Sequence, residues 1–135
     1  MADMEDLIKA FTEERVWAVV GASTSPEKFG HKVFRTLRAA GYTVYGVNPR
    51  GGKIDGEALY PSLADLPVKP AVVDLVVPPK VTEGVVRECA KLGLSRVWMQ
   101  PGAESEEAIA YCQAEGIDVV HGACAMVRKR TWEGA

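Results

Sequence analysis

Five apolar residues in succession, Val16-Trp17-Ala18-Val19-Val20, stand between charged Glu14-Arg15 and the small residues Gly21-Ala22-Ser23. A run without polar alternation predicts a strand covered on both faces, as in a parallel sheet. Ahead of it, Met4, Leu7, Ile8 and Phe11 recur at three- and four-residue intervals behind Asp3, which predicts a capped helix over about 3–14. Behind it, Val33, Phe34 and Leu37 predict a helix from about Gly30 to Ala40, stopped at Gly41. Tyr42 to Val47 follows as a second strand, and Ala71 to Val77 as a third, interrupted only by Asp74.

The rest of the chain repeats this alternation. Pro79 opens a helix whose apolar stripe reads Val81, Val85, Cys89 and Leu92, ending at Gly93. Arg96 to Gln100 is a fourth strand, Ser105 to Glu115 a helix with Ala108, Ile109 and Cys112 inward, and Ile117 to Val120 a fifth strand. Strands separated by helices imply an α/β fold, a mostly parallel five-stranded sheet with helices on both faces. Asn48 to Pro61 holds three glycines and two prolines with no apolar period and reads as a loop, and Ser62 to Asp65 as the start of a short capped helix.

Composition adds bounds. At 135 residues, 47% of them hydrophobic and 25% charged, the chain is expected to form one packed domain over 1–135. A net charge of -2 offers little attraction for nucleic acid. No segment reads as a secretory signal or a membrane span, so a cytoplasmic location is the expectation. Three cysteines without a C-x-x-C pair and two histidines predict buried thiols and no metal site.

In such sheets ligands lie beyond the carboxyl ends of the strands, where the strand order reverses. Four turns converge there: Gly21 to Gly30, Val47 to Lys53, Val77 to Lys80 with Pro78, and Gln100 to Ser105. In the first, Gly21 and Ala22 let backbone approach a ligand closely, Ser23, Thr24 and Ser25 offer hydroxyls to phosphate oxygens, and Lys28 supplies charge. The second, Asn48-Pro49-Arg50-Gly51-Gly52-Lys53, stands where an NAD-binding fold places an acid on the adenosine ribose. Arg50 and Lys53 suit a phosphorylated ribose instead, which narrows the ligand to NADP or coenzyme A.

Gly21-Ala22-Ser23 with Ser25-Pro26, Val47-Asn48-Pro49, Val77-Pro78-Pro79, Met99-Gln100-Pro101-Gly102 and Gly122-Ala123-Cys124 together resemble the stand-alone CoA-binding domain family. That family is related to the N-terminal domain of the succinyl-CoA synthetase alpha subunit, and the likeness runs from about Val16 to Val127. It implies a Rossmann-like fold that binds coenzyme A, with first-turn phosphate contacts on Ser23, Thr24, Ser25 and Pro26. The basic contact after the second strand falls on Arg50 or Lys53; the synthetase lysine follows the proline by two residues, whereas Lys53 lies four beyond Pro49. The segment after the fourth strand carries over to Met99, Gln100 and Pro101, through backbone alone, because proline replaces the family's acid.

The function expected from these residues is a small non-catalytic module that holds coenzyme A or an acyl-CoA. Two alternatives share the site: an NADP-dependent oxidoreductase-like protein, and a CoA-sensing regulatory partner of a larger acyl-CoA enzyme. Neither His31, near the first helix start, nor His121, closing the last strand, inherits the synthetase's phosphohistidine role. Arg128-Lys129-Arg130 reads as a solvated helix end. Sequence leaves open whether a homo-oligomer forms.

Overall fold

A computed structural model of the chain describes residues 3–135. Helix α1 (Met4–Thr12) begins at Asp3, whose carboxylate accepts a bond from the Asp6 amide at 2.9 Å, and buries Ile8, Phe11 and Thr12. Strand β1 (Val16–Val20), helix α2 (Phe29–Ala39) and strand β2 (Thr43–Val47) follow. After β3 (Lys53–Ile54), β4 (Glu57–Ala58) and a single 3₁₀ turn (Leu63–Asp65), strand β5 (Val72–Leu75) leads to helix α3 (Pro79–Leu92). Strand β6 (Arg96–Met99), helix α4 (Glu106–Ala114), strand β7 (Asp118–Val120) and a short α5 (Ala125–Arg128) complete the fold.

Five strands form one parallel sheet in the order β2-β1-β5-β6-β7. From β1 the chain first builds outward to β2, then crosses back to β5 on the other side. The order therefore reverses between β1 and β5, the switch point at which open α/β sheets bind ligands. The architecture is α/β and Rossmann-like. Side chains alternate along each strand: Trp17, Val19, Val72 and Trp98 meet α1, α2 and α5 on one face, while Ala18, Val20, Val73, Leu75, Val97 and Met99 meet α3 and α4 on the other. Two of the buried rings, Trp17 and Trp98, lie 5.7 Å apart and spend their indole N–H groups on the carbonyls of Glu14 and Ala123. No helix among the described residues is long and apolar enough to cross a membrane.

Two sequence expectations need correction. The segment 48–61 is not a plain loop, since β3 and β4 pair antiparallel across Asp55 and Gly56, at φ 51° and 81°. Positive φ at both central residues is the two-residue hairpin turn for which Asp-Gly is suited. The ribbon is anchored because Ile54 and Leu59 are buried in the core beside α2, while Arg35–Asp55 and Arg38–Glu57 pair at 3.0 and 3.3 Å on its outside. Helix α3 is also rotated relative to the predicted stripe. Thr82, Val86 and Cys89 are its buried residues, and Val81 is 47% exposed. Thr82 can face inward because its hydroxyl donates to the Ala103 carbonyl at 2.8 Å, giving a polar group in the core its partner.

Candidate functional site

The crevice begins at Gly21, the residue after β1. Its φ is 97°, and a Cβ there would lie 2.1 Å from the Val76 carbonyl oxygen, so only glycine fits between β1 and the end of β5. Its amide donates to the Val47 carbonyl at 2.9 Å, holding the turn onto β2. Gly30, in the first turn of α2, is equally constrained: a Cβ there would stand 1.9 Å from the Gly21 carbonyl oxygen. Helix α2 therefore starts pressed against the turn that leaves β1.

Inside that turn the Ser25 amide donates to Ser23 Oγ at 3.1 Å, and the Lys28 amide to the Ser25 carbonyl at 3.0 Å. Ser23 Oγ accepts in this bond, so its own hydroxyl hydrogen remains to donate. Lys28 precedes α2 in extended conformation, and no side chain caps the helix; its first turn carries no acidic residue. An 11-residue helix that opens this way presents main-chain N–H groups and the positive end of its dipole to an anion. Thr24, Pro26 and Lys28 are exposed at the lip, Ser23 and Ser25 half-buried and Ala22 fully buried.

Asn48 ties the second turn to the first. Its Nδ2 donates to the Ala22 carbonyl at 2.9 Å, while its Oδ1 accepts from the Arg50 amide at 2.9 Å. The loops also touch where Gly52 passes Thr24; a Cβ on Gly52 would lie 2.6 Å from Thr24 Cγ2. Pro49, Arg50 and Lys53 are exposed, and neither cation forms an ion pair among the described residues. The geometry thus brings Gly21 to Lys28 and Asn48 to Lys53 together as one rim.

Across the crevice, Val76, Val77 and Pro78 after β5 and Pro101, Gly102 and Ala103 after β6 line a cleft of ≈ 240 Å³. Pro78 and Pro101 are exposed there. Met99 and Gln100 are not part of that surface. Met99 lies wholly within the core shared with α3 and α4. Gln100 is fully buried with every polar group engaged: its amide donates to Leu75, its carbonyl accepts from Ala103, its Oε1 accepts from the Ala125 amide at 2.8 Å, and its Nε2 reaches Cys124 Sγ at 3.3 Å. Gln100 thereby fixes the start of α5.

His31 lies in the first turn of α2, near the helix start where the sequence reading put it. It is 8% exposed, and its Nδ1 lies 2.7 Å from the Ser23 carbonyl, which makes Nδ1 the donor and fixes the tautomer. Of the cysteines, burial pushes the Cys89 thiol up to about 12 and the Cys112 thiol up to about 11, leaving both unreactive. In the basic tail Arg128 pairs with Glu5 at the surface, and Arg130, itself exposed, stacks on Trp132 at 4.4 Å.

Comparison with known proteins adds to this geometry. A protein-family model described as "CoA binding domain" matches residues 15–130. The ADP-forming acetate–CoA ligase II alpha subunit of Pyrococcus furiosus is 34% identical over 92 residues, covering 67% of this chain and only 20% of that protein's length. A hypothetical protein from Pyrococcus horikoshii OT3 superposes with a TM-score of 0.86 at 36% identity, over 94% of this chain and 89% of that one. The dinucleotide-forming acetyl-coenzyme A synthetase 1 of Ca. Korarchaeum cryptofilum, solved with phosphate and ADP, superposes with a TM-score of 0.67 at 29% identity, over 84% of this chain and 26% of that one. The matched span contains all four turns of the crevice, and the chain belongs to the CoA-binding domain family.

Proposed function

We propose that this protein binds coenzyme A or an acyl-CoA as a module without chemistry of its own, in the crevice where the sheet order reverses. The observation that carries the reading is the uncapped start of α2 pressed against the Gly21 turn. In this reading the pyrophosphate sits on the main-chain N–H groups of Ser23 and Thr24 and of the first turn of α2, with the Ser23, Thr24 and Ser25 hydroxyls and Lys28 beside it. Arg50 or Lys53 meets the 3′-phosphate on the ribose, and the pantetheine arm runs toward Val77, Pro78 and Pro101. Gly21, Ala22, Asn48 and Pro49 shape the rim without needing to donate. Three unpaired thiols fit a reducing, cytoplasmic setting.

Calorimetric titration with CoA and with dephospho-CoA tests this. CoA is expected to bind about tenfold more tightly, the worth of one charge-assisted contact, and Arg50→Ala or Lys53→Ala to abolish the difference. Equal affinity for the two ligands would remove the role given to the cations. Absence of binding to either would end the proposal.

A further inference from the structure

Asp74 is the third residue of β5, the central strand, with Val19 of β1 on one side and Trp98 of β6 on the other. It is completely buried, and neither carboxyl oxygen has a hydrogen-bond partner among the described residues. Alternation along β5 sends Val73 and Leu75 to the face under α3 and α4, so Asp74 points with Val72 toward α1, α2 and α5. An acid at that point of a sheet core has no structural use that an apolar residue would not serve better.

The groups that face this side are uncharged. Strand β1 brings Trp17 and Val19, β6 brings Trp98, and the helices bring Phe11, Val33, Leu37 and Ala125. The titratable groups on the same side are committed elsewhere: His31 of α2 to the Ser23 carbonyl, Tyr42 to the Thr12 carbonyl, and Cys124, before α5, to Gln100. Lys9 of α1 and Lys32 of α2 are exposed, and Arg128 of α5 pairs with Glu5. No cation among the described residues is placed to hold Asp74 as a carboxylate, and burial raises its proton affinity well above the ordinary carboxylate range.

We propose that Asp74 keeps its proton in the folded protein at neutral pH and so acts as a proton-dependent lock on β5, the strand that ends in the Val76 to Pro78 wall of the crevice. In the unfolded chain the same group titrates near 3.8. Above that pH the unfolded state has lost a proton that the native state retains, so rising pH favours unfolding. Each pH unit in this window lowers the folding constant about tenfold, until the native group itself ionises; below the unfolded-state value the contribution is complete. This does not depend on which ligand the crevice holds.

The test is urea unfolding of the wild type, Asp74→Asn and Asp74→Leu at about pH 5, 6 and 7. The ratio of the wild-type folding constant to that of either variant is expected to fall about tenfold per pH unit. Only this slope is read, so a variant that is less stable at every pH still reports, and Asp74→Leu serves if Asp74→Asn does not fold. A ratio that stays constant across the range would mean that Asp74 is already ionised in the folded protein, and would overturn the proposal.

Discussion

Gly21 is the residue on which the crevice turns, because both its positive φ and its 2.1 Å clearance to the Val76 carbonyl oxygen exclude a side chain. Gly21→Ala is expected to lose at least about 2 kcal/mol of stability in urea unfolding, from backbone strain and displacement of β5. Asn48 acts differently, since its amide bridges Ala22 and Arg50 without bearing charge. Asn48→Ala should cost about 1 kcal/mol of stability and weaken CoA in calorimetry by loosening the rim. The small residues of the first turn were legible in the sequence because a phosphate-facing turn needs them. Gln100 was not: a polar residue closing a strand reads as surface, and only the packing of α5 above it shows why it is buried.

At the scale of elements, β1 was legible as the unbroken apolar run of a buried parallel strand, and β5 and β6 as shorter runs of the same kind, broken by Asp74 in one and opened by Arg96 in the other. Strands β3 and β4 are two residues each, too short to carry a period, although Asp55-Gly56 held the clue to their turn. The orientation of α3 was missed for a different reason. Counting apolar residues favoured Val81, while the structure turns Thr82 inward, where the Ala103 carbonyl receives its hydroxyl. Two substitutions separate these faces: Val81→Lys should change stability by less than about 0.5 kcal/mol, and Val86→Ala should cost about 2 kcal/mol in the same urea unfolding. Comparable losses for both would place the helix in the predicted rotation instead.

Over the whole molecule, connectivity makes the site: a chain that builds β2 on one side of β1 and then crosses to β5 leaves a gap between the two diverging connections. Into that gap the fold directs an uncapped helix start, and beside it stand two exposed cations, Arg50 and Lys53. The alternation of strands and helices in the sequence is enough to expect the gap, whereas the interlocking of its loops through Asn48 and Gly52 emerges only in three dimensions. The most direct test is a crystal structure of the protein saturated with CoA. The pyrophosphate is expected within hydrogen-bond distance of the Ser23 and Thr24 amides and the first turn of α2, and the 3′-phosphate beside Arg50 or Lys53. A crevice without density, or CoA seated against another face such as the groove walled by Arg38 and Glu57, would contradict the account.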